Sequence, residues 1–458
     1  MEARTRSLAV WADLKSGVLV GWTSCLSQLT MLRFADLKSG KVEDMSRLSV
    51  LVALTIATIV CGPANAQAPI SPSPYAAWPN GIPTDPNYFP LAVWLQHPRN
   101  AERFQEAGIN LFVGLYRGPT EDQLSALKES DMRVICAQNE TALGSENADV
   151  IVAWMHGDEP DNAQPQKSGG YGPPIDPNVI EKDYQRIKMR DATRPIFLNL
   201  GQGVAYDNYI GRGVRRNHPE DYPLYMRGSD IVSFDIYPAV HDKPEVAGKL
   251  EFVARGVERL RLWSNNEKIV WNCIECSRIS NATVKPTPQQ IRSEVWMSLI
   301  KGSKGIIYFV HQFEPTFKEA SLLEDQELLS AVTEINRTIT TLAPVLNSAT
   351  VDDAVVVDAA AGESAAGESA TGESSLSVMC KRHEGGLYLF VANINANQQA
   401  AKLRFLNPLS ETAQAVAIED NSPVAIRDGV LEIELDGYGI GLYRVFGEQF
   451  AAVKACCD

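Results

Sequence analysis

Between residues 91 and 310 the chain alternates short apolar runs with longer stretches of helical periodicity. The runs are Leu91–Leu95, Ile109–Leu115, Met132–Cys136, Ile151–Trp154, Pro195–Leu198, Ile231–Tyr237, Lys268–Trp271 and Gly305–Val310. Helical patterning fits Asn100–Ala107, Thr120–Lys128, Val179–Met189, Val246–Leu262, Pro288–Lys301 and Asp325–Leu342. Thr120 reads as an N-cap, with Glu121 and Asp122 in the first turn where the helix dipole favours acids. Continuous apolar runs bounded by turn residues are the mark of strands buried on both faces, as in a parallel sheet. Eight strand–helix units over about 250 residues predict an α/β architecture, a closed (β/α)8 barrel spanning 85–343. An open doubly wound sheet is the alternative. The regularity of the eight units favours closure, and no glycine-rich phosphate loop follows any strand, which removes the usual dinucleotide reading.

Past the barrel the period changes. Val351–Val357, Ser375–Cys380, Gly386–Asn393, Ala401–Phe405, Val430–Leu435 and Gly439–Val445 are short alternating segments that predict a C-terminal antiparallel β-sandwich over 346–447. The stretch Gly362–Ser374 repeats the triplet GES and reads as a low-complexity insert within 360–374. At the other end, Met45 and Arg47 precede an apolar run, Leu48–Cys61, and Ala64-Asn65-Ala66 follows it, the form of a secretory signal peptide over 45–66. Residues 1–44 read as an atypical leader or a misplaced start, 67–84 as a proline-rich linker, and 448–458 as a tail. A secreted or periplasmic location follows, without stable membrane insertion once the signal is removed.

Composition narrows the function. Apolar residues make up 45% and charged residues 21%, which is ordinary for a globular chain. The net charge of −14 argues against nucleic acid, whose phosphates need a basic face. In a parallel barrel the chemistry sits at the C-terminal ends of the strands. There the second run ends Tyr116-Arg117-Gly118, the fourth His156-Gly157-Asp158-Glu159, the fifth Asn199, the seventh Asn272-Cys273-Ile274-Glu275 and the eighth His311-Gln312. The sixth alternates, with Val232, Phe234 and Ile236 on one face and Ser233, Asp235 and Tyr237 on the other. Its polar face suits the barrel mouth. Asp235 fits a structural hydrogen-bonding group and a ligand contact equally well.

Glu159 alone reads as a helix-start carboxylate beside Pro160, and Glu275 alone as a salt-bridged rim residue. Together, at the ends of the fourth and seventh strands, they match the pair of carboxyls that retaining glycoside hydrolysis places about 5–5.5 Å apart. The layout resembles clan A of the glycoside hydrolases over about residues 85–343, with the sandwich similar to the accessory domain common in that clan. The resemblance implies Glu159 as acid/base, Glu275 as nucleophile, Tyr237 in "FDIYP" as the nucleophile's hydrogen-bond donor, and Arg117 as the arginine often found after the second strand. The chain departs from the clan at Asp158, where Asn is usual, and at His311, where Trp is usual.

The function expected is cleavage of β-glycosidic bonds in an oligo- or polysaccharide by double displacement. The expected substrate contacts are Asp158, Arg117, Tyr237, Asn199, Trp94 and His311, and no cofactor or metal is called for. The alternative is an inactive glycan-binding protein on a TIM-barrel scaffold, with hydrolysis of a non-sugar substrate behind both. "CIEC" (Cys273–Cys276) does not read as a zinc or redox site, because residues three apart on a strand face opposite ways and no second pair completes a tetrahedron. A local disulfide there needs a turn just after Ile274.

Overall fold

The computed structural model describes residues 72–359 and 375–448. The expected leader, signal peptide, low-complexity insert and the tail beyond Glu448 lie outside the described residues. The barrel strands are β1 (Leu91–Trp94), β2 (Leu111–Val113), β3 (Arg133–Cys136), β4 (Ile151–Met155), β5 (Ile196–Leu200), β6 (Ile231–Phe234), β7 (Ile269–Val270), β8 (Asn272–Glu275) and β9 (Ile306–Phe309). All pair in parallel in the order β7-β6-β5-β4-β3-β2-β1-β9-β8. β7 and β8 are two halves of one stave, separated only by Trp271. The first half pairs with β6 and the second with β9. A parallel bridge between Asp235 and Cys273 joins them across the seam. The sheet is thus the expected barrel.

Its helices are α1 (Ala101–Glu106), α2 (Glu121–Glu129), α3 (Glu140–Gly144), α4 (Pro177–Arg190), α5 (Tyr222–Tyr225), α6 (Glu251–Trp263), α7 (Pro288–Ile300) and α8 (Gln326–Leu346). The side chains of Thr120 and Thr287 cap α2 and α7 reciprocally with Gln123 and Gln290, fixing where those helices start. Among the described residues no helix is long and apolar enough to cross a membrane.

Strand alternation divides the barrel core in two. Ala92, Trp94, Leu111, Val113, Ile135, Phe197, Ile231, Trp271 and Ile307 fill the interior. Leu91, Val93, Phe112, Val134, Leu198, Val232, Phe234 and Ile306 face the helices. Burial on both faces is why these strands read as unbroken apolar runs. Residues 72–84 are no free linker. Tyr75 and Ile82 are buried in the barrel interior, and the Tyr75 hydroxyl donates to Lys304 O (2.8 Å) and accepts from Trp271 Nε1 (2.9 Å). Proline-rich composition signalled a chain without regular structure; two apolar side chains among the prolines were enough to pin it.

The C-terminal sheets are β10 (Val355–Ala359), β13 (Gln399–Phe405), β17 (Val430–Leu435) and β16 (Ile426–Arg427) against β11 (Leu376–His383), β12 (Gly386–Asn393), β18 (Ile440–Phe446), β14 (Gln414–Ala417) and β15 (Pro423–Val424). Leu389, Val391, Leu403, Leu431 and Val445 form the core between them. Strand β12 is buried along its whole length, because Phe390 and Ala392 on its other face join the helical layer of the barrel. Phe390 stacks on Trp296 of α7 at 5.7 Å between ring centres. Barrel and sandwich therefore share one core.

Candidate active site

The acidic residues that follow β4 and β6 meet at the C-terminal mouth of the barrel. Glu159 has φ +43°, a left-handed conformation that is strained for a residue with a side chain. Its N–H donates to Asn199 O (3.2 Å), and its carbonyl accepts from Asn162 N (3.1 Å) and Gln164 Nε2 (3.3 Å). This turn carries the carboxyl across the end of β5. A Cβ on Gly201 would lie 2.8 Å from Glu159 Oε1, so the bare glycine is what lets the side chain pass.

Asp161 anchors the same turn from below. It is fully buried, accepts from Gly201 N (2.9 Å) and Tyr222 OH (3.1 Å), and lies 3.6 Å from Arg212 Nη1. Arg212, also buried, donates to Asp161 O (2.7 Å) and Asp221 Oδ2 (2.6 Å), and its guanidinium lies over the Tyr222 ring. This acid–base–acid set is compensated.

The mouth is not. Asp235 is the acid that acts most strongly on Glu159, through its charge and its carboxyl. Burial, then the negative charges of Asp235 and Asp158, hold the Glu159 carboxyl well above the usual carboxylate range. Asp235 is pushed up to about 7, by burial first and then by the charge of Asp158. Hydrogen bonds from Glu159 and Tyr237 oppose that shift. Asp158 is an exposed residue of the loop, yet its carboxyl points into the concave mouth. Withdrawal from water raises it to about 6 against the pull of Asn199, whose Nδ2 donates to Asp158 Oδ1 (2.9 Å). Ser233 Oγ in turn donates to Asn199 Oδ1 (2.6 Å), which orients that amide. The register that pairs Asn199 with Ser233 makes this possible. The Tyr209 hydroxyl is also held above its usual range, by burial and then by the charges of Glu159, Asp235 and Asp161.

Glu275 is elsewhere. It has no exposed surface, its Oε1 accepts from Ala239 N (2.7 Å), and its carboxyl pairs with that of Glu294 on α7. Burial drives Glu275 up to about 7, opposed by the hydrogen bonds it accepts from Glu294 and from the backbone N–H groups of Ala239 and Val240. Burial and the Glu275 charge hold Glu294 well above the carboxylate range. Glu159 and Glu275 thus take different acids as their strongest partners, Asp235 for Glu159 and Glu294 for Glu275. The carboxyl opposite Glu159 belongs to Asp235, and Glu275 is turned to the loop after β6 and to the helix layer. A single glutamate within the apolar α7 gave no sign that it would take Glu275 as its partner.

The other expected residues divide. Tyr237 is buried, with its hydroxyl toward Asp235, not Glu275. Trp94 and Asp158 line a hollow of about 380 Å³ at the mouth, together with His156 and Gln138. His156 is tied to Gly228 O (2.7 Å) and His311 to Leu95 O (3.1 Å), both kept below the usual imidazole range by burial. Arg117 is exposed on the rim over the Tyr116 ring at 5.1 Å and does not reach the buried Glu275. An aromatic series runs outward from Tyr237 through Phe309 (5.1 Å) and His311 (5.4 Å) to the exposed rings of Phe313 and Phe317. Cys273 lies in the barrel interior and Cys276 in the helical layer, and the thiols are free.

The fold and site define a (β/α)8 barrel with a carboxyl-lined mouth. No family model matches the sequence, and no curated protein sequence matches it. Solved structures of similar shape include an alpha-amylase from Geobacillus thermoleovorans (10% identity, TM-score 0.47, covering 80% of this chain and 100% of that one). Others are an Anoxybacillus alpha-amylase (9%, 0.45, 80% and 99%) and a family 39 glycoside hydrolase from Bacteroides cellulosilyticus (13%, 0.44, 79% and 82%).

Proposed function

We propose that the protein is an exported glycoside hydrolase in which Glu159 is the proton donor and Asp235 the partner carboxylate. The observation that carries this reading is the pair itself: two carboxyls at the barrel mouth whose surroundings keep a proton on one and direct it at the other. Groups whose environments push their ionisation apart are the natural acid and base of a site. Protonated Glu159 delivers its proton to the glycosidic oxygen as the bond breaks. Asp235, held by the Tyr237 hydroxyl, attacks the anomeric carbon, and Glu159 then takes a proton from the water that releases the sugar. Asp158 and Asn199 offer acceptors and a donor for sugar hydroxyls, and the exposed rings of Phe313 and Phe317 offer apolar faces beyond them.

The spacing of the two carboxyls around a bound sugar decides the stereochemical course. A gap of about 5–5.5 Å gives retention, and one of about 6.5–9.5 Å gives inversion. Retention at a β-linkage is the course adopted here, with Asp235 in the place expected for Glu275.

The test is turnover of a panel of β-linked glycans and aryl β-glycosides. Glu159→Gln should lower kcat/KM by about 10²–10⁴-fold on substrates with poor leaving groups, the usual worth of a positioned acid. Asp235→Ala should abolish turnover of the aryl glycosides, and azide should restore it with inverted product. Glu275→Gln should keep the chemistry. If the wild type binds glycans and cleaves none, the inactive glycan-binding reading replaces this one.

A further inference from the structure

At the end of the barrel opposite the carboxyl mouth, a cavity of about 640 Å³ opens between the strand starts and the sandwich. Arg261, Lys268, Lys304 and Lys381 line it, beside apolar walls that include Trp78 and Met379. In a chain of net charge −14 this gathering of cations is unexpected. Lys381, on β11, is 1% exposed, and its ammonium donates to a single neutral acceptor, Ser348 O (2.7 Å). Lys304 follows α7 and precedes β9, and no side chain among the described residues makes an ion pair with it. Arg261 of α6 donates to Lys301 O (2.8 Å), and Gly302, at φ +103°, leaves room for its guanidinium, since a Cβ there would lie 2.7 Å from Arg261 Nη1.

Acids are present but do not neutralise the set. Asp230 is committed to Lys188 (3.3 Å), Tyr184 OH (2.8 Å) and Ile196 N (3.0 Å), while Glu267 and Asp352 are exposed at the rim. Lys268 donates to Ser229 O (2.6 Å). Burial, then repulsion from Lys304 and Arg261, lowers the Lys381 ammonium to about 7, opposed by Asp352. Burial and Arg261 lower Lys304 as well. Buried charges are retained when paired or coordinated, and a fully buried ammonium among other cations lacks such a partner.

We infer that this cavity is a binding site for an oxyanion, a phosphate or carboxylate group carried by a small molecule, with Lys304, Lys381 and Arg261 as its ligands. The guanidinium supplies planar paired donors and the two ammonium groups supply point charges, the mixture that suits a multiply charged oxyanion. The apolar walls and the volume leave room for a body larger than the anion itself. The site is remote from Glu159 and Asp235 and does not depend on what they catalyse.

The test is thermal unfolding of the whole protein at pH 8 with inorganic phosphate, with malonate, and with sodium chloride at matched ionic strength. The expected result is a saturable rise in Tm with phosphate or malonate that chloride does not reproduce. The larger response assigns the group as phosphoryl or carboxylate. Calorimetric titration in two buffers of different ionisation enthalpy should show proton uptake on binding, as Lys381 charges. Lys304→Met should weaken the response at least fivefold, and Lys381→Met should weaken it equally while raising Tm in the absence of anion. A Tm rise matched by chloride, or one unchanged in both variants, overturns the site. Lys304→Met, at a partly exposed position, keeps the test decisive if Lys381→Met does not fold.

Discussion

The two ends of the barrel are opposites in charge and alike in physics. At the C-terminal mouth, Asp158, Glu159 and Asp235 crowd together, and none of them makes an ion pair among the described residues. At the other end, Arg261, Lys304 and Lys381 crowd together with no committed acid. Beside the mouth lies a third kind of cluster, Asp161–Arg212–Asp221, in which every charge meets its opposite. The compensated set is architecture: it fixes the turn after β4 to the loop before α5. The uncompensated sets raise the free energy of the folded chain, and like charges held close in a folded protein mark sites whose partner is a proton or a ligand.

That contrast is sharpest at Arg212. Replacing it by Met leaves Asp161 buried and unpaired, and breaking a buried pair in this way costs about 3–5 kcal/mol. Urea unfolding should register a loss of that size. A loss below about 1 kcal/mol would erase the distinction drawn between Asp161 and the mouth carboxyls, because Asp161 would then be tolerating isolation as well.

The smaller effect concerns Glu275 and Glu294, a like-charged pair with no exposed surface. Their folded values are raised, to about 7 for Glu275 and well above the ordinary carboxylate range for Glu294. The folded state therefore binds more protons than the unfolded chain above about pH 4.5. The stability the pair contributes is complete below that pH and is lost as pH rises through the folded values. Each proton at issue gives a slope of about 1.4 kcal/mol per pH unit. Glu294→Gln should flatten the fall in stability between pH 5 and pH 8, measured by unfolding at a series of pH values. An unchanged slope would remove the pair from the account.

Much of this was legible in the sequence. The eight apolar runs announced the barrel because burial on both faces erases polar alternation, and the shift to period-two patterning after residue 350 announced the sandwich. The alternation in β6 already put Ser233, Asp235 and Tyr237 on the inner face, and Glu159 was recognisable as a carboxylate ending a buried strand before proline. What could not be read was which of two acids meets Glu159. Asp235 and Glu275 both follow strands whose ends reach the mouth. The choice is made by the break of one stave into β7 and β8, by the N–H of Ala239, and by Glu294 on α7, all tertiary facts. The cationic cavity was equally hidden, since its three ligands come from α6, the turn before β9 and β11 and carry no motif.

Burial and the Asp235 charge together keep the proton on Glu159, and carbon-13 NMR titration of labelled carboxyls tests this most directly. In the wild type the Glu159 carboxyl should titrate well above 4.5, and in Asp235→Asn, with the opposing charge gone, it should fall toward that value while the Glu275 signal stays in place. A Glu159 that titrates near 4.5 in both proteins, or one that responds to Glu275→Gln instead, would contradict the account.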